Sequence, residues 1–302
     1  MRLAALRTDR GTRVHVRRSD GYLDLGDASG RPELACLDQA LADWPATRAA
    51  AEGADHAGMA LVSPQDADFG PLVPARGRIL CVGRNYTEHI EELGRQTPAW
   101  PEIFARFAST VVGADDPIQI TELSDQADYE GELGVVIGSR GRHVAARDAL
   151  SLVAGYTVCN DVSMRDWQLR GAQWTTGKNF DGTLPVGPDL VTPDEVNSDD
   201  LPLETRLNGE VVQSARTSNM LLGVADLIEF LSSFTMLKPG DLIATGTPGG
   251  VGLARNPQLF LRDGDMVDVT IDGVGSLRNP VQLDGRPPAT DRWRALVRQA
   301  DG

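Results

Sequence analysis

The sequence predicts a mixed α/β fold rich in β-strands, with a small N-terminal domain. Apolar residues make up 41% of the 302 residues, enough to bury a full core. From residue 79 onward, short apolar runs alternate with turns rich in Gly, Pro and Asp, and a few short helical patterns interrupt them. Regular βαβ alternation and internal repeats are both absent from the sequence, which favours the mixed β-rich class. The predicted strands are 79–82, 133–137, 156–159, 203–207, 241–244 and 266–271.

The first 74 residues form a predicted accessory domain. Residues 13–16 and 21–25 have the pattern of short strands, and residues 33–52 have a helical period that is broken at Pro45. Residues 63–76 combine three prolines with glycine and aspartate, a composition typical of a linker. We therefore expect an N-terminal domain at 1–74, a main domain at 75–286 and a helical tail at 287–302. The first domain contains no group of catalytic residue types, so it is expected to pack on the main domain or on a second subunit.

Charge and hydropathy exclude two classes of partner. The chain has 29 basic and 43 acidic residues, which gives a formal net charge of −14 at pH 7. Nucleic-acid binding requires clustered positive charge, and the basic cluster at 13–18 is short, so no nucleic-acid partner is expected. The apolar runs are far shorter than the ~20 residues that cross a membrane, so no membrane partner is expected either.

The cysteines and the N-terminus predict a cytoplasmic protein. The three cysteines are odd in number and widely spaced, which favours neither a disulfide framework nor a thiolate zinc site. The first ten residues lack the apolar core of a signal peptide. Among the 29 basic residues only Lys178 and Lys238 are lysines, so each is inspected for chemistry that arginine cannot perform.

Three carboxylates are candidate metal ligands. The strand period places Glu130 and Glu132 on one face of an apolar strand, where two like charges are explained by a cation between them or by a solvated edge. Asp161 follows another apolar run at the start of a helical pattern over 162–169. It could be a third ligand, or it could cap that helix and pair with Arg165, which shares its helical face with Gln168. Oxygen ligands select Mg²⁺ or Mn²⁺, with Ca²⁺ possible.

A short helix over 85–94 carries a candidate catalytic pair. Asn85 and Glu88 resemble a capping box that would open the helix, and Gly94 would close it. His89 and Glu92 are i, i+3 neighbours beside the apolar stripe of this helix. A carboxylate that holds one imidazole nitrogen leaves the other free to act as a general base, although an exposed surface pair is the alternative.

These features together resemble the fumarylacetoacetate hydrolase family over residues 75–285. The matching segments are VGRNYTEHIEE at 82–92, DYEGEL at 128–133, GYTVCNDVSMRDWQ at 155–168, GKNFD at 177–181 and TGTPGGVG at 245–252. The resemblance implies the C-terminal fold of that family, a divalent cation held by three carboxylates and assembly as a homodimer.

The resemblance also implies a role for each matching residue. Glu130, Glu132 and Asp161 take the metal positions, and His89 with Glu92 takes the position of the dyad that activates water. The remaining matches lie around substrate and metal, with Lys178 supplying a compact positive charge: Arg165, Gln168, Lys178 and Thr247. Without the resemblance, Lys178 would be interpreted as a surface lysine in a glycine-bounded turn.

The activity implied first is metal-dependent hydrolysis of a carbon–carbon bond in a 2,4-dioxo acid, such as an acylpyruvate or a fumarylpyruvate-like acid of a catabolic pathway. His89, held by Glu92, would deprotonate a water that attacks the distal carbonyl, and the metal would stabilise the departing pyruvate enolate. Two alternatives stay open. One is a decarboxylase of oxaloacetate-like acids or a hydroxymuconate-type isomerase that uses the same site, and the other is a member that binds oxo acids without catalysis.

Overall fold

The computed structural model describes residues 1–54, 58–74 and 77–285. The strands of these ranges are β1 (Arg2–Thr8), β2 (Gly11–Arg18), β3 (Gly21–Asp24), β4 (Ile79–Gly83), β5 (Glu102–Arg106), β6 (Val111–Val112), β7 (Ile118–Thr121), β8 (Ala127–Asp128), β9 (Gly131–Ile137), β10 (Val153–Asn160), β11 (Ser163–Met164), β12 (Leu184–Val191), β13 (Pro202–Leu207), β14 (Glu210–Arg216), β15 (Leu242–Ala244), β16 (Met266–Ile271) and β17 (Gly275–Asp284). The α-helices are α1 (Leu25–Ser29), α2 (Leu37–Ala42), α3 (Trp44–Gly53), α4 (Thr87–Glu92), α5 (Ala146–Ala149), α6 (Arg165–Gln168), α7 (Thr175–Lys178) and α8 (Val224–Phe234).

Two large sheets form the body of the molecule. The first has the strand order β3-β2-β1-β12-β10-β9-β15-β4-β5, with β6 paired to β12, and the second has the order β14-β13-β16-β17-β7. The sheets confirm a β-rich mixed fold, and each predicted strand of the main domain coincides with a strand of the structure. Helix α8 adds an apolar stripe to the core, since Val224, Leu227, Ile228 and Leu231 are buried at helical spacing.

The N-terminal strands belong to the first sheet. β1 pairs antiparallel with β12, so that Leu3 faces Leu190, and β2 and β3 continue the sheet outward from β1. The predicted break near Pro45 is present, but its cause is a second helix: Asp43 caps α3 and Pro45 lies in the first turn, where proline is tolerated. The division of the chain at residue 74 stays a prediction.

The topology brings several strand ends to one edge of the first sheet. β9 runs antiparallel to β10 and to β15, and β15 runs parallel to β4. The start of β9 therefore lies beside the ends of β10, β15 and β4. Every residue of β9 is buried, which excludes the alternative of a solvated edge strand for its carboxylates. Residues placed at these strand ends are held by the rigid centre of the sheet.

Two local predictions differ from the structure. The helix predicted at 85–94 is shorter, and Asn85 does not cap it, because the Asn85 side chain bonds to backbone groups of Leu222 and Thr245. The helix predicted at 162–169 is the short strand β11 followed by the single turn α6. The helical tail predicted at 287–302 lies outside the described residues. In the described ranges no helix is long and apolar enough to cross a membrane.

Candidate active site

A buried carboxylate cluster lies where β9 begins and β10 ends. Glu130 immediately precedes β9 and Asp161 immediately follows β10, and the pairing of Asn160 with Gly131 places the two side by side. The Asp161 N–H donates to the Glu130 carbonyl at 2.8 Å. Glu132 is the second residue of β9, and ligand oxygens of Glu130, Glu132 and Asp161 all lie within 4.8 Å of one another.

Cationic side chains neutralise two of the three carboxylates. The Lys178 ammonium lies 2.7 Å from Glu130 Oε2 and 2.7 Å from Asp161 Oδ2, and Arg165 Nη1 lies 2.6 Å from Glu130 Oε1. Burial alone would raise the pKa of Glu130, but the charges of Lys178 and Arg165 outweigh it and lower that pKa to about 2. Arg106 bonds to the remaining oxygen of Asp161. Glu130 and Asp161 are therefore held in fixed orientations.

Glu132 is the poorly compensated member of the cluster. Its Oε2 accepts a hydrogen bond from the Gly246 N–H at 2.9 Å, and among the described residues no arginine or lysine forms an ion pair with it. Burial, followed by the charges of Asp161 and Glu130, raises the pKa of Glu132 well above its usual range. A divalent cation would relieve this repulsion, and an all-oxygen donor set suits Mg²⁺, Mn²⁺ or Ca²⁺. The residues present thus fit such an ion.

His89 and Glu92 form the predicted contact on α4. His89 Nδ1 lies 2.7 Å from Glu92 Oε1, and the other Glu92 oxygen accepts from the Gly250 N–H at 2.6 Å. Because a carboxylate only accepts, Nδ1 carries the hydrogen and Nε2 is left as the basic nitrogen. His89 is only 5% exposed, so the alternative of a surface pair is excluded. A positive charge on His89 would also lower the pKa of Glu130, because the ring lies beside the cluster.

One cavity of about 660 Å³ contains most of the predicted site. Asp161 lies behind its wall, joined to it through Lys178. An apolar side of the cavity is formed by Phe104 and Trp174, whose rings meet edge to face at 5.4 Å. The predicted residues that line the cavity are His89, Glu92, Glu130, Glu132, Arg165, Gln168, Lys178 and Thr247.

The residues predicted to contact substrate differ in how many of their hydrogen-bonding groups are already used within the protein. Arg165 Nη2 is buried and has no hydrogen-bond partner among the described residues, so its N–H groups are available. Gln168 accepts from Arg165 Nη1 at 3.0 Å. The Thr247 hydroxyl bonds to the Gly131 carbonyl at 3.0 Å and accepts from Gln213 at 2.8 Å, which commits it to the protein.

The Lys178 ammonium already makes three hydrogen bonds within the protein. It bonds to Glu130, to the Asp161 carboxylate and, at 3.1 Å, to the Asp161 carbonyl. It would reach a substrate oxygen only by exchanging one of these bonds. Lys178 is 1% exposed, which excludes its interpretation as a surface lysine.

Two site residues were missed by the sequence analysis. Arg106, at the end of β5, bonds to Asp161, and nothing in the surrounding sequence signals this contact. Asp128 accepts from Arg165 Nε at 2.8 Å and from the N–H groups of Gly252 and Leu253 at 2.7 and 2.9 Å. The strand period of two places Asp128 on the same face as Glu130, and this pattern could have predicted that Asp128 lies near the site. Arg165 therefore pairs with Asp128 and Glu130 and not with Asp161.

Comparison with known proteins identifies the family of this chain. Residues 78–282 match the family model described as fumarylacetoacetate (FAA) hydrolase C-terminal. The chain belongs to the fumarylacetoacetate hydrolase family. This assignment confirms both the family and the fold that the sequence motifs implied.

Relatives of this fumarylacetoacetate hydrolase family member carry several enzyme names. A human protein named oxaloacetate tautomerase FAHD2A, mitochondrial, is 41% identical over 270 residues, covering 86% of this chain and 86% of that protein. The structure of a 5-carboxymethyl-2-hydroxymuconate delta-isomerase from Mycobacterium smegmatis is 30% identical with a TM-score of 0.74, covering 94% of this chain and 100% of its own. That of a maleylpyruvate hydrolase from Sphingobium sp. SYK-6 is 29% identical with a TM-score of 0.78 at the same coverage. This member of the family is therefore an enzyme, while its reaction type is not fixed by family membership.

The predicted cytoplasmic location is wrong by the same comparison. Relatives from human, rat and Xenopus laevis are all named as mitochondrial proteins. The prediction depended on cysteines, and Cys36, Cys81 and Cys159 are indeed free thiols. Free thiols occur in more than one compartment, so the cysteines do not establish a location.

Proposed function

We propose that the protein is a metal-dependent tautomerase of a small 2-oxo acid, with oxaloacetate as the first candidate substrate. The observation that carries this proposal is the His89–Glu92 dyad beside the buried carboxylate cluster of Glu130, Glu132 and Asp161 in one cavity. A fixed base close to a cation site is the arrangement needed to move a proton next to a carbonyl group.

The substrate carboxylate is held first. Arg165 offers the free N–H groups of Nη2, and Gln168 lies beside it on the cavity wall. The guanidinium cannot lose its proton, since burial is outweighed by the charges of Asp128 and Glu130, which raise the pKa of Arg165 further. A permanent cation at this position orients the oxo acid with its carbon chain toward His89.

Proton transfer follows at His89. In the keto-to-enol direction Nε2 removes a proton from C3; the electron pair of the C–H bond forms the C2–C3 double bond, and the carbonyl electron pair moves to the C2 oxygen. The imidazolium, stabilised by Glu92, then returns the proton to that oxygen and gives the enol. A divalent ion held by Glu130, Glu132 and Asp161 would supply positive charge that favours negative charge on the C2 oxygen. The enol-to-keto direction uses the same groups in reverse.

Hydrolysis of an acylpyruvate, ranked first in the sequence analysis, is retained as the second candidate. The observation that favours it is the similarity to a maleylpyruvate hydrolase, at 29% identity. The relative named oxaloacetate tautomerase is more similar, at 41% identity over 86% of the chain, so the comparisons support the alternative more than hydrolysis. Hydroxymuconate-type isomerisation would also use one base and one cation. Decarboxylation of oxaloacetate would use the cation to stabilise the enolate left by loss of CO₂, with a proton donor to complete the product.

Product analysis separates these reactions. The purified protein with MgCl₂ is given enol oxaloacetate, and loss of the ultraviolet absorbance of the enol is followed while NMR in D₂O reports deuterium at C3. We expect accelerated ketonisation without release of CO₂, and no cleavage of acylpyruvate or maleylpyruvate. His89→Gln should abolish the acceleration, while His143→Gln, at an exposed histidine, should retain it. Cleavage of acylpyruvate with no effect on oxaloacetate would replace this proposal by the hydrolase.

The ion and the assembly state complete the proposal. We propose Mg²⁺ or Mn²⁺ as the ion, since oxygen ligands and a site shared with substrate oxygens suit both, and Ca²⁺ stays an alternative. The homodimer implied by the family resemblance also stays a prediction. Sedimentation velocity of the purified chain would test it, and a single species at the monomer mass would contradict it.

A further inference from the structure

Arg106 is a buried cation directly behind the proposed metal ligands. Its side chain is fully inaccessible to solvent, and Nη1 bonds to Asp161 Oδ1 and, at 3.2 Å, to the Val162 carbonyl. Nη2 bonds to the Thr183 hydroxyl. Arg106 is absent from the cavity wall, and the proposed metal ligand that it contacts is Asp161.

The two oxygens of Asp161 face different neighbours. Lys178 Nζ lies 2.7 Å from Asp161 Oδ2 and 2.7 Å from Glu130 Oε2, so these two oxygens lie on the side of the cluster. Oδ1 is bonded to Arg106, which, unlike Lys178, does not line the cavity. The Val162 and Thr183 contacts fix the guanidinium, and the Asp161 carboxylate cannot rotate without breaking a buried ion pair.

We infer that Arg106 is a positioning residue that restricts Asp161 to one coordinating oxygen and thereby selects Mg²⁺ over Ca²⁺. Ca²⁺ accepts six to eight oxygens and readily takes both oxygens of a carboxylate, whereas Mg²⁺ requires a near-octahedral set of six. With Oδ1 held by Arg106 behind the site, Asp161 would offer an ion Oδ2, the oxygen that it also presents to the cavity-lining Lys178. The donor set then suits the smaller ion and leaves positions for substrate oxygens.

A purely structural role predicts a different result. If Arg106 only stabilises the fold, its loss lowers the melting temperature and weakens binding of every cation to the same extent. If it controls the denticity of Asp161, its loss changes the ratio of the two affinities. The ratio of the Ca²⁺ and Mg²⁺ dissociation constants is therefore the decisive quantity.

The test is calorimetric titration of the EDTA-treated full chain with MgCl₂ and, separately, with CaCl₂. In Arg106→Met we expect Mg²⁺ affinity to fall by about 10- to 100-fold, as for loss of other partners of metal ligands, and Ca²⁺ affinity to fall much less. Arg106→Lys keeps a donor for Oδ1 and should restore most of the wild-type ratio. Arg78→Met removes a similar ion pair, to buried Asp241, outside the cavity, and should leave the ratio unchanged.

The inference depends on the proposed metal site, and the experiment separates the two. A wild-type protein that binds neither cation overturns both. A wild-type protein that binds Mg²⁺, together with an unchanged ratio in folded Arg106→Met, overturns the role of Arg106 alone. If Arg106→Met does not fold, Arg106→Gln is titrated in its place, and an unchanged ratio in that variant overturns the inference equally.

Discussion

The carboxylate of Glu92 joins helix α4 to the glycine loop at 246–252. Its Oε1 lies 2.7 Å from His89 Nδ1, and its Oε2 lies 2.6 Å from the Gly250 N–H. Both oxygens are thus occupied, and the imidazole is held in one tautomer on a side chain that cannot swing away. Glu92 and Gly250 are 158 positions apart in the chain, so the contact between them depends on the tertiary fold.

The first prediction concerns this contact. Glu92→Gln retains the size of the side chain, but an amide stabilises the imidazolium less than a carboxylate does. We expect kcat to fall by about 10- to 100-fold with little change in KM. The variant stabilises the imidazolium less, and the imidazolium forms only during proton transfer, after the substrate has bound. Steady-state kinetics measures both constants. Glu91→Gln, at an exposed neighbour on the same helix, should leave both unchanged, and a selective rise in KM for Glu92→Gln would contradict the role in proton transfer.

The second prediction concerns Glu132. Since burial and two like charges raise its pKa, Glu132→Gln should leave the melting temperature of the metal-free protein unchanged or raised. The same variant should lose the stabilisation by Mg²⁺, which in the wild type reaches about 2.7 kcal/mol at 100 times the dissociation constant. Differential scanning calorimetry with and without MgCl₂ measures both effects. Glu210→Gln, on an exposed strand position, is the control and should keep the Mg²⁺ shift. A full shift in Glu132→Gln would remove this residue from the site.

Local sequence patterns predicted that Glu130, Glu132 and Asp161 would lie together, because their positions follow from neighbouring residues, while their role as metal ligands stays a prediction. The period of two fixed Glu130 and Glu132 on one face, and the position of Asp161 after an apolar run placed it at a strand end. The motif order supplied the family. These features required no knowledge of how distant segments meet.

Distant partners account for the predictions that failed. Asn85 has the composition of a cap, yet Leu222 and Thr245, more than 130 residues away, compete for its amide and carbonyl. Arg106 reaches Asp161 across 55 residues, and no pattern around either residue indicates the contact. The prediction of a cytoplasmic location failed for a different reason, because free cysteines do not specify the compartment in which a protein resides.

The third prediction concerns substrate size. A side chain at Gly83 would place its Cβ 2.2 Å from Trp174, so the absence of a side chain there lets the indole form the cavity wall with Phe104. Trp174→Ala should lower kcat/KM by about tenfold for 2-oxo acids with a bulky substituent and by much less for oxaloacetate. Trp100→Ala removes a tryptophan that is 76% exposed and should affect neither substrate. Equal losses for large and small substrates would exclude Trp174 as a determinant of specificity.

The fourth prediction concerns the dependence of stability on pH. Asp24 caps α1 through the Asp27 N–H at 3.0 Å and is bonded by Arg13. Burial alone would raise the pKa of Asp24, but the Arg13 hydrogen bond and the cap outweigh it and lower that pKa. A carboxyl with a depressed folded-state pKa stabilises the fold above its unfolded pKa of about 3.9, and the contribution is lost as the pH falls through the folded value.

Asp24→Asn retains a residue that can cap the helix but removes the charge. We expect the free energy of unfolding to fall by about 1 to 2 kcal/mol at pH 7, and the difference from the wild type to shrink as the pH falls below 4. Urea denaturation at a series of pH values measures this difference. Asp20→Asn, at an exposed aspartate in the adjacent turn, should give no such trend. A difference that is constant from pH 7 to pH 3 would show that the amide disrupts packing and that the charge of Asp24 contributes nothing.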